Sequence, residues 1–501
     1  MTFEKADVVV VGSGFGGAVP AYYCAASGAK VVVLERGPRL TRFPHSLRLG
    51  EFTRAVDLVV GDGVAAVTGN CVGGSSVVYF GASLRAPSFV FERRCGTGRR
   101  VWPRAISRAS LDPWYARVEQ ALPVEVPQWS QIAYSGGVFA AACSRAGRTC
   151  NPVPLAVDLK RCVNCNWMLA GCDFDAKRSM LLNYLPAAEA AGAEIRPLHE
   201  VQTLTRGDRY VVSYTVIDPD DYRKVVGIGA IEAKTVVLAA GAVATPPILQ
   251  RSALDVPGAV GKYFSGNGDR VSIAVVDDKK LGMPYEGFAV GRPINTMSFD
   301  RLDPVQPEYE RFSLQQIYFP AITNVLADTG FGDSARDARA KWASWLSVLA
   351  MTEDDNEGVF GPPAPSGSGL RLALSVVRSS LRYRPSSRTL RGWALADDEA
   401  KAILERGGLS TVKPWRDFAG SVTAHPLASC RIGDDPRTSA LDDRHEVRGH
   451  PGLFVTDGSA VPTSLCVNPS LTIAALAERA SRIIVESTGR PARDVPLPGK
   501  G

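Results

Sequence analysis

A histidine and an asparagine near the end of the chain could do chemistry together. His425 can accept a proton from a hydroxyl group, because an imidazole with the ordinary pKa of about 6.5 is neutral near neutral pH. Asn468 carries a carboxamide that donates and accepts hydrogen bonds, so it can orient a substrate oxygen. Each has a structural alternative, His425 as a packed or surface residue and Asn468 as a helix cap.

The residues after Asn468 have the pattern of an amphipathic helix. Asn468 suits the N-cap and Pro469 the first helical position, with Ser470 next. Apolar residues then recur at helical spacing, at Leu471, Ile473, Ala474, Leu476 and Ala477. The start of such a helix presents N–H groups and a partial positive charge, so it favours an anion placed before Pro469.

The other end of the chain contains a dinucleotide-binding pattern. It consists of an apolar strand at 6–11, G-x-G-x-x-G at Gly12, Gly14 and Gly17, a helix continuing over 18–27 and a second strand at 29–34. The first glycine permits a tight turn, the second lets the backbone approach a pyrophosphate, and the third lets helix and strand pack closely. Glu35 follows at the spacing of an acid that binds a ribose hydroxyl, which favours FAD or NAD over NADP.

Five separated segments together resemble the glucose–methanol–choline (GMC) flavoprotein oxidoreductases. They are the glycine pattern and residues 69–76 (GNCVGGSS), 236–246 (VVLAAGAVATP), 261–269 (GKYFSGNGD) and 454–463 (FVTDGSAVPT). His425 matches the family histidine in its His-Pro-Leu-x-x-Cys-Arg setting, and Asn468 matches the usual partner of that histidine. Residues 261–269 are similar to the cholesterol-oxidase-like branch, and the resemblance extends from Val8 to about Ile484.

The resemblance implies a place for each matching residue. The loop at Gly73 would pass the pyrophosphate and the flavin ring, Val201 would lie near the adenine, and Asp457 would lie near the ribityl and phosphate groups. Asn468 and Pro469 would lie at the flavin pyrimidine edge. The residues expected to bind the cofactor are Gly12, Gly14, Phe15, Gly17, Glu35, Gly73, Gly74, Ser75, Val201, Ala240, Asp457, Asn468, Pro469 and Ser470.

The fold implied by the resemblance is α/β (α+β overall). A FAD-binding Rossmann-like ββα domain would be interleaved with a smaller mixed β-sheet substrate domain, as in the GMC oxidoreductase fold. We expect FAD-binding segments at 1–85, 150–275 and 421–490, substrate-domain segments at 86–149 and 276–420, and an irregular tail at 491–501. The length of 501 residues, of which 45% are hydrophobic, suits two such domains.

The activity implied is FAD-dependent oxidation of an alcohol to a carbonyl, by hydride transfer to flavin N5 with His425 as the general base. The cholesterol-oxidase-like motifs suggest a cyclic secondary alcohol, such as a sterol, polyketide, terpenoid or sugar, with O2 or a carrier as electron acceptor. Two alternatives stay open. One is a redox-neutral isomerase, lyase or photodecarboxylase on the same fold, and the other is a flavin-binding protein with an interaction role. The sequence separates neither oxidase from dehydrogenase nor monomer from oligomer.

The flavin loop departs from the family pattern in two ways. It reads Gly-Gly-Ser-Ser where many relatives carry a third glycine, and Tyr79 falls near a position where asparagine is common. Either change bears on how oxygen or substrate reaches N5. The histidines nearest in sequence, His45 and His199, do not flank the loop, so we expect noncovalent FAD.

The ten cysteines raise the question of a metal site. Cys162, Cys165 and Cys172 fit an iron–sulfur spacing except that Met168 occupies the third ligand position. We expect no metal, although Cys143 and Cys150 are the candidates to complete a zinc or cluster site. The chain shows no secretory leader and no apolar run of about twenty residues, so we expect a cytoplasmic protein with mostly free thiols.

The net charge of +6 is mild for this length and does not indicate a nucleic-acid partner. One basic segment contains Arg371, Arg378, Arg382, Arg384, Arg388 and Arg391. It is typical of a solvated face, and the alternative is a surface for an anionic substrate, a carrier-borne substrate or a membrane. The acids within 352–356 are candidate substrate or supporting groups, or turn caps.

Overall fold

A computed structural model describes residues 4–43, 54–95, 97–254, 258–281, 285, 291–318, 342–362, 371–373, 376–412, 421–492 and 495–498. The helices in these ranges are α1 (Phe15–Ala26), α2 (Ser75–Val78), α3 (Arg108–Ala121), α4 (Tyr134–Arg145), α5 (Tyr184–Ala190), α6 (Thr245–Arg251), α7 (Asp278–Leu281), α8 (Ser387–Arg406) and α9 (Ser470–Ser487).

The strands in the described ranges are β1 (Glu4–Val11), β2 (Val31–Leu34), β3 (Val56–Asp62), β4 (Val64–Gly69), β5 (Asn151–Pro152), β6 (Glu194–Arg196), β7 (His199–Arg206), β8 (Tyr210–Ile217), β9 (Val225–Leu238), β10 (Lys262–Ser265), β11 (Asp269–Val275), β12 (Ile294–Ser298), β13 (Phe312–Ile317), β14 (Trp345–Thr352), β15 (Gly358–Phe360), β16 (Arg371–Ala373), β17 (Val376–Arg382), β18 (Ser410–Val412), β19 (Ser421–Thr423), β20 (Leu427–Ser429) and β21 (Leu453–Val455).

A seven-stranded sheet carries the nucleotide-binding pattern. Its order is β6-β2-β1-β9-β8-β7, and β21 also pairs with β9. The pairs β1/β2, β1/β9, β2/β6 and β9/β21 are parallel, whereas β7, β8 and β9 form an antiparallel meander. The valines of β1 are buried on both faces, which explains the continuous apolar run of a central parallel strand. The predicted strand–helix–strand unit is therefore present as β1, α1 and β2.

The described residues form two further sheets. The eight-stranded sheet has the order β19-β4-β3-β17-β15-β10-β20, with β16 beside β17, and mixes parallel and antiparallel pairs. The six-stranded sheet has the order β18-β11-β14-β13-β12-β5, and each of its pairs is antiparallel. The mixed α/β architecture predicted from the sequence is confirmed. The division into domain segments stays a prediction.

A buried carboxylate joins the helices that cover the first sheet. Glu478 of α9 accepts hydrogen bonds from Tyr23 of α1 at 2.9 Å, Tyr184 of α5 at 2.5 Å and Arg117 of α3 at 3.0 Å. Its side chain is 1% exposed. Because a buried charge is tolerated when it is paired and hydrogen-bonded, this contact fixes α9 and its first turn against the sheet.

The cysteines are thiols, five of them buried. Among the described residues, no group of three histidine, cysteine or acidic side chains could hold a metal ion. Burial raises the pKa of Cys71, the cysteine in the predicted flavin loop. Within the ranges that the structure describes, no helix has both the length and the apolar character required to cross a membrane. The compartment stays a prediction.

Candidate active site

His425 and Asn468 meet although 43 residues separate them in the sequence. His425 lies between β19 and β20, and Asn468 lies two residues before the start of α9. The Nδ2 atom of Asn468 is 3.1 Å from Nε2 of His425. The imidazole is 12% exposed, which leaves an edge of the ring accessible.

Asp269 holds the opposite edge of the imidazole. Both of its carboxylate oxygens are 2.9 Å from Nδ1 of His425. An ionised carboxylate only accepts hydrogen bonds, so this contact favours the tautomer with the ring proton on Nδ1. The lone pair of the neutral ring is then on Nε2, where the Asn468 amide donates to it. A lone pair at this position is what a general base needs.

Gln315 fixes the orientation of the Asn468 carboxamide. This glutamine, on β13, donates from Nε2 to Oδ1 of Asn468 at 3.0 Å, and Nδ2 of Asn468 donates to its Oε1 at 3.3 Å. Gln315 is fully buried. Nε2 of Gln315 is also 3.5 Å from the sulfur of Met297, which favours this orientation of the pair, with the NH2 group of Asn468 facing His425.

The helix prediction at Asn468 requires a correction. We expected Asn468 to be the N-cap and Pro469 the first helical residue. Instead α9 begins at Ser470, Pro469 occupies the cap position, and no side chain caps the helix there. The carboxamide of Asn468 is already bound by Gln315 and His425, and these tertiary contacts replace the local cap.

The predicted glycines come together at the start of α1. Gly12 has φ +93°, and a Cβ there would be 2.3 Å from the carbonyl oxygen of Ala239. A Cβ on Gly17 would be 2.0 Å from the carbonyl oxygen of Gly12. Gly74, at φ +53°, is so close to Gly14 that its Cβ would be 2.9 Å from Cα of Gly14. The two glycine-rich loops therefore lie against each other.

Ser13 connects those loops to the predicted ribose acid. Its N–H and hydroxyl donate to Oε2 of Glu35 at 3.0 and 2.6 Å, and its Oγ accepts from the N–H of Gly73 at 2.9 Å. The N–H of Gly37 donates to Oε1 of Glu35 at 2.9 Å. Burial raises the pKa of the Glu35 carboxyl. A carboxylate has about four acceptor sites, so Glu35 retains capacity for a further hydroxyl.

Asp457 organises the loop at the end of β9. Its Oδ2 accepts from the N–H of Gly241 and the hydroxyl of Thr245, at 2.8 and 2.5 Å. Its Oδ1 accepts from the N–H and hydroxyl of Ser459 at 2.8 and 2.5 Å. The contacts place Asp457 beside Ala240, and a Cβ on Gly16 of α1 would be 2.7 Å from Cα of Asp457.

Three other predicted cofactor residues have the following contacts. Val201 is buried on β7, two residues after His199, whose N–H donates to the carbonyl of Glu35. The hydroxyl of Ser470 donates to the carbonyl oxygen of Ala82. The ring of Phe15 packs edge to face with that of Tyr79 at 5.3 Å. Their roles towards a cofactor stay predictions.

Four residues that the structure brings into this region have no local sequence pattern that indicates their role. Ser13 is the variable residue between two glycines of the nucleotide pattern, and Asp269 ends a segment already used for the resemblance. Asn267 and Gln315 complete the set. Their partners are distant in sequence, as for Asp269 and His425 at a separation of 156 residues. No local pattern could identify such pairs.

The predicted acids within 352–356 form a buried network. Asp354 accepts from the hydroxyl of Ser265 at 2.7 Å and from the N–H of Asn356 at 3.2 Å. Arg93 lies 3.7 Å from Glu353 and donates to the carbonyl oxygen of Asp354 at 2.7 Å. Burial, together with the nearby charge of Glu357, raises the pKa of Asp354 to about 7.

Replacement of Asp354 by asparagine is expected to flatten the pH dependence of stability. Between pH 3.8, the ordinary pKa, and about pH 7, the folded protein retains a proton on Asp354 that the unfolded chain releases. The folded state binds more protons in this window, so stability falls as pH rises, by up to about 1.4 kcal/mol per pH unit. Urea unfolding at pH 5 and 7.5 should show a smaller decrease in Asp354→Asn than in wild type. The exposed control Asp208→Asn should follow wild type, and an unchanged slope in Asp354→Asn would refute the assignment.

The basic segment is largely exposed, as a solvated face would be. Arg378, Arg382 and Arg391 are exposed, and two other arginines have acidic partners. Arg384 is 2.7 Å from Asp62, and Arg388 is 3.0 Å from Asp355. The side chain of Arg371 lies outside the described residues. A role in binding an anion or a membrane stays a prediction.

A surface cleft of about 730 Å³ reaches Val467, the residue before Asn468. Its lining is Leu84, Arg85, Pro87, Phe299, Asp300, Leu302, Asp303, Pro304 and Val467. Neither His425 nor Asn468 contributes to the lining, so the cleft is not assigned as the reaction chamber.

Known proteins resemble this chain over nearly its whole length. It is 25% identical to the long-chain-alcohol oxidase FAO4B of Arabidopsis thaliana, over 96% of this chain and 68% of the relative. It is 25% identical to a cholesterol oxidase of Mycobacterium tuberculosis, over 95% of this chain and 90% of the relative. The solved structure of pyridoxine 4-oxidase from Mesorbium loti has the same fold, with a TM-score of 0.68 at 17% identity, covering 96% of this chain and 99% of that one.

Two family models match this chain, and both describe GMC oxidoreductases. The N-terminal model matches residues 6–266 and the C-terminal model matches residues 369–477, which together are more than half of the chain. The resemblance inferred from the five sequence segments is thereby confirmed. The chain belongs to the GMC oxidoreductase family.

Proposed function

We propose that this protein oxidises an alcohol to a carbonyl compound with noncovalently bound FAD, and that His425 is the general base. The observation that carries the proposal is the arrangement at the imidazole. Both carboxylate oxygens of Asp269 lie 2.9 Å from Nδ1, and the amide of Asn468 lies 3.1 Å from Nε2. Membership of the GMC family and the names of two relatives, a long-chain-alcohol oxidase and a cholesterol oxidase, support this class of reaction.

The glycine-rich loops fit the pyrophosphate of a dinucleotide. Gly14 has an extended backbone at φ −73° and ψ −162°, and it is the N-cap of α1 with no side-chain cap. A Cβ on Gly14 would meet only Cα of Gly74, at the ordinary contact distance of 3.8 Å. The packing of the protein therefore does not demand glycine here, whereas an anion at the start of the helix does. Glu35 and Asp457 would hold the ribose and the ribityl–phosphate portion.

The chain's own residues supply proton removal and orientation. Nε2 of His425 accepts the hydroxyl proton of the substrate, and the NH2 group of Asn468 donates to the substrate oxygen from the adjacent position. Gln315 keeps that amide in the donating orientation. The bound FAD supplies the hydride acceptor. Substrate oxygen would take the place of the present contact between Asn468 and His425.

Noncovalent binding rests on the histidines of the chain. His199 lies on β7, where its Nδ1 is 2.7 Å from the carbonyl oxygen of Pro197 and its ring packs on Tyr214. Its main-chain N–H donates to the main-chain carbonyl oxygen of Glu35, on the ribose side of the predicted site. His45 lies outside the described residues. Release of free FAD from acid-denatured protein would support noncovalent binding, and flavin remaining on the chain would refute it.

The substrate we propose is a cyclic secondary alcohol, such as a sterol, polyketide, terpenoid or sugar, with O2 or a carrier as the electron acceptor. The cholesterol oxidase relative supports this class, and the long-chain-alcohol oxidase makes a primary aliphatic alcohol the comparison substrate. Both relatives are oxidases, which favours O2. The buried amide pair of Gln315 and Asn468 offers neutral hydrogen bonds, which suits an uncharged hydroxyl compound.

The test is the visible spectrum of the purified protein under anaerobic conditions. Sterols, cyclic terpenoid alcohols, sugars and long-chain primary alcohols are added separately, and the flavin absorbance near 450 nm is followed. Bleaching by one class establishes alcohol oxidation and identifies that class, and admission of air then tests O2 as acceptor. An oxidised flavin across the whole panel would count against alcohol oxidation and favour a redox-neutral flavoenzyme.

A further inference from the structure

The buried carboxylate of Asp269 contacts the imidazole from the side opposite to Asn468. Asp269 is the first residue of β11, and its side chain is 2% exposed compared with 12% for His425. Both carboxylate oxygens are 2.9 Å from Nδ1. Burying a carboxylate is unfavourable unless its hydrogen bonds are complete. The other contacts of Asp269 therefore determine whether its carboxyl group can be ionised.

Two further groups that can donate a hydrogen bond contact Asp269. Oδ2 lies 2.9 Å from the hydroxyl of Thr423 and 3.2 Å from the N–H of Ala424. The Thr423 hydroxyl is also 2.9 Å from the carbonyl oxygen of Gly266, and it accepts from the N–H of His425 at 2.9 Å. The segment that leads into His425 therefore contacts the carboxylate through the Thr423 hydroxyl and the Ala424 N–H. An environment of donors suits an ionised, accepting carboxylate.

The loop that carries Asp269 is also tied to the segment that carries Asn468. Asn267 lies in this loop with φ +58°, a left-handed conformation that asparagine tolerates. Its Nδ2 donates to the carbonyl oxygen of Val467 at 3.0 Å, and its Oδ1 accepts from the N–H of Leu465 at 2.7 Å. Asn267 is fully buried. The groups at the two edges of the imidazole thus belong to loops that are fastened together.

We propose that Asp269 is a positioning residue that holds the His425 imidazole in the Nδ1–H tautomer and in a fixed ring orientation. This keeps the Nε2 lone pair directed towards the substrate. When Nε2 accepts the hydroxyl proton, the carboxylate stabilises the positive charge that the ring acquires. The catalytic consequence rests on the proposed function, whereas the tautomer is a property of the protein itself.

Asp269→Asn is the informative substitution because it changes a donor–acceptor pattern and little volume. The N–H of Ala424 requires an acceptor, so the carboxamide oxygen takes the place of Oδ2 and the NH2 group takes the place of Oδ1. Both places are 2.9 Å from Nδ1, so the carboxamide offers the ring a donor and a neutral acceptor where the carboxylate offers two charged acceptors. The preference for the Nδ1–H form therefore falls, and the fraction of rings with a lone pair on Nε2 falls with it.

The first readout is the tautomer, measured by imidazole ¹H–¹⁵N NMR of the full-length flavoprotein labelled at histidine. The chain contains five histidines, and the His425→Gln variant identifies the signal of His425. At pH 8.5, about two units above the ordinary histidine pKa, we expect the Nδ1–H form to predominate in wild type and the Nε2–H form to gain population in Asp269→Asn. A predominant Nε2–H form in wild type overturns the proposal even if Asp269→Asn does not fold. An unchanged ratio of the two tautomers in folded Asp269→Asn overturns it as well.

The second readout is the rate at which the alcohol reduces the flavin. We expect Asp269→Asn to reduce this rate at least about tenfold with FAD content unchanged, and Asp269→Glu, which retains a carboxylate, to recover part of the loss. The exposed Asp277→Asn, in the turn after β11, is the matched control and should react as wild type does. Loss of rate in Asp269→Glu equal to that in Asp269→Asn would overturn the assignment.

A double-mutant cycle separates positioning from an independent role. If Asp269 acts through the imidazole, Asp269→Asn changes the residual rate of His425→Ala by less than about twofold. An equal loss in both backgrounds would show that Asp269 acts on something other than His425. If no alcohol reduces the wild-type flavin, the proposed function fails, and the NMR measurement still decides the role of Asp269.

Discussion

Replacing His425 with alanine is expected to slow reduction of the bound flavin by an alcohol about 10²–10⁴-fold. General-base assistance typically contributes this factor, and the variant retains no group able to take the proton at the position of Nε2. Asp269 cannot substitute for it, because the carboxylate is 2% exposed and lies on the Nδ1 side of the ring. The measurement is anaerobic stopped-flow absorbance near 450 nm, with the alcohol identified by the substrate panel.

Two further variants make the result specific to proton removal. His425→Gln retains a hydrogen-bonding side chain but no base, so its loss should match that of His425→Ala. His450→Ala removes a histidine from the turn before β21 and should leave the rate unchanged. A loss below about tenfold in His425→Ala, with FAD bound, would exclude His425 as the general base. A normal rate in His425→Gln would show that hydrogen bonding alone suffices.

The nucleotide-binding unit could be predicted from the sequence because its determinants are local. The turn at Gly12 requires a positive φ, and the close packing at Gly17 excludes any side chain. Each glycine in the sequence therefore indicates a requirement of the backbone at its own position. The strands on either side are buried on both faces and read as apolar runs. Fold and family followed from such segments, and both are confirmed.

The histidine environment was only half predictable. His425 and Asn468 were paired through the family resemblance, but Asp269 and Gln315 are brought in by strand pairing across the six-stranded sheet. Burial of a polar residue on a strand has no signature in the residues beside it. The misplaced start of α9 has the same cause, since the local pattern predicts a cap at Asn468 whereas its carboxamide has tertiary partners.

Replacing Gly14 with alanine is expected to weaken FAD binding at least about tenfold, or about 1.4 kcal/mol, without destabilising the protein beyond about 1 kcal/mol. The backbone at Gly14 is extended, so alanine adopts it without strain, and the new methyl group would contact only Cα of Gly74, at 3.8 Å. A pyrophosphate lying against this backbone would collide with the methyl group. The measurements are the FAD retained per chain and the dissociation constant.

Gly137→Ala is the matched control for this substitution. Gly137 is exposed within α4, and a Cβ there would meet nothing within 4 Å. Its alanine variant should gain about 0.5–1 kcal/mol of helix stability and retain FAD like wild type.

Gly12→Ala, in contrast, should destabilise the protein itself, because its Cβ would lie 2.3 Å from a main-chain oxygen at φ +93°. FAD affinity unchanged in Gly14→Ala would mean that the pyrophosphate does not pass this residue. If the FAD-free Gly14→Ala variant is less stable than FAD-free wild type, Gly14 is required for packing. Only a loss of FAD affinity at unchanged stability supports the proposed site.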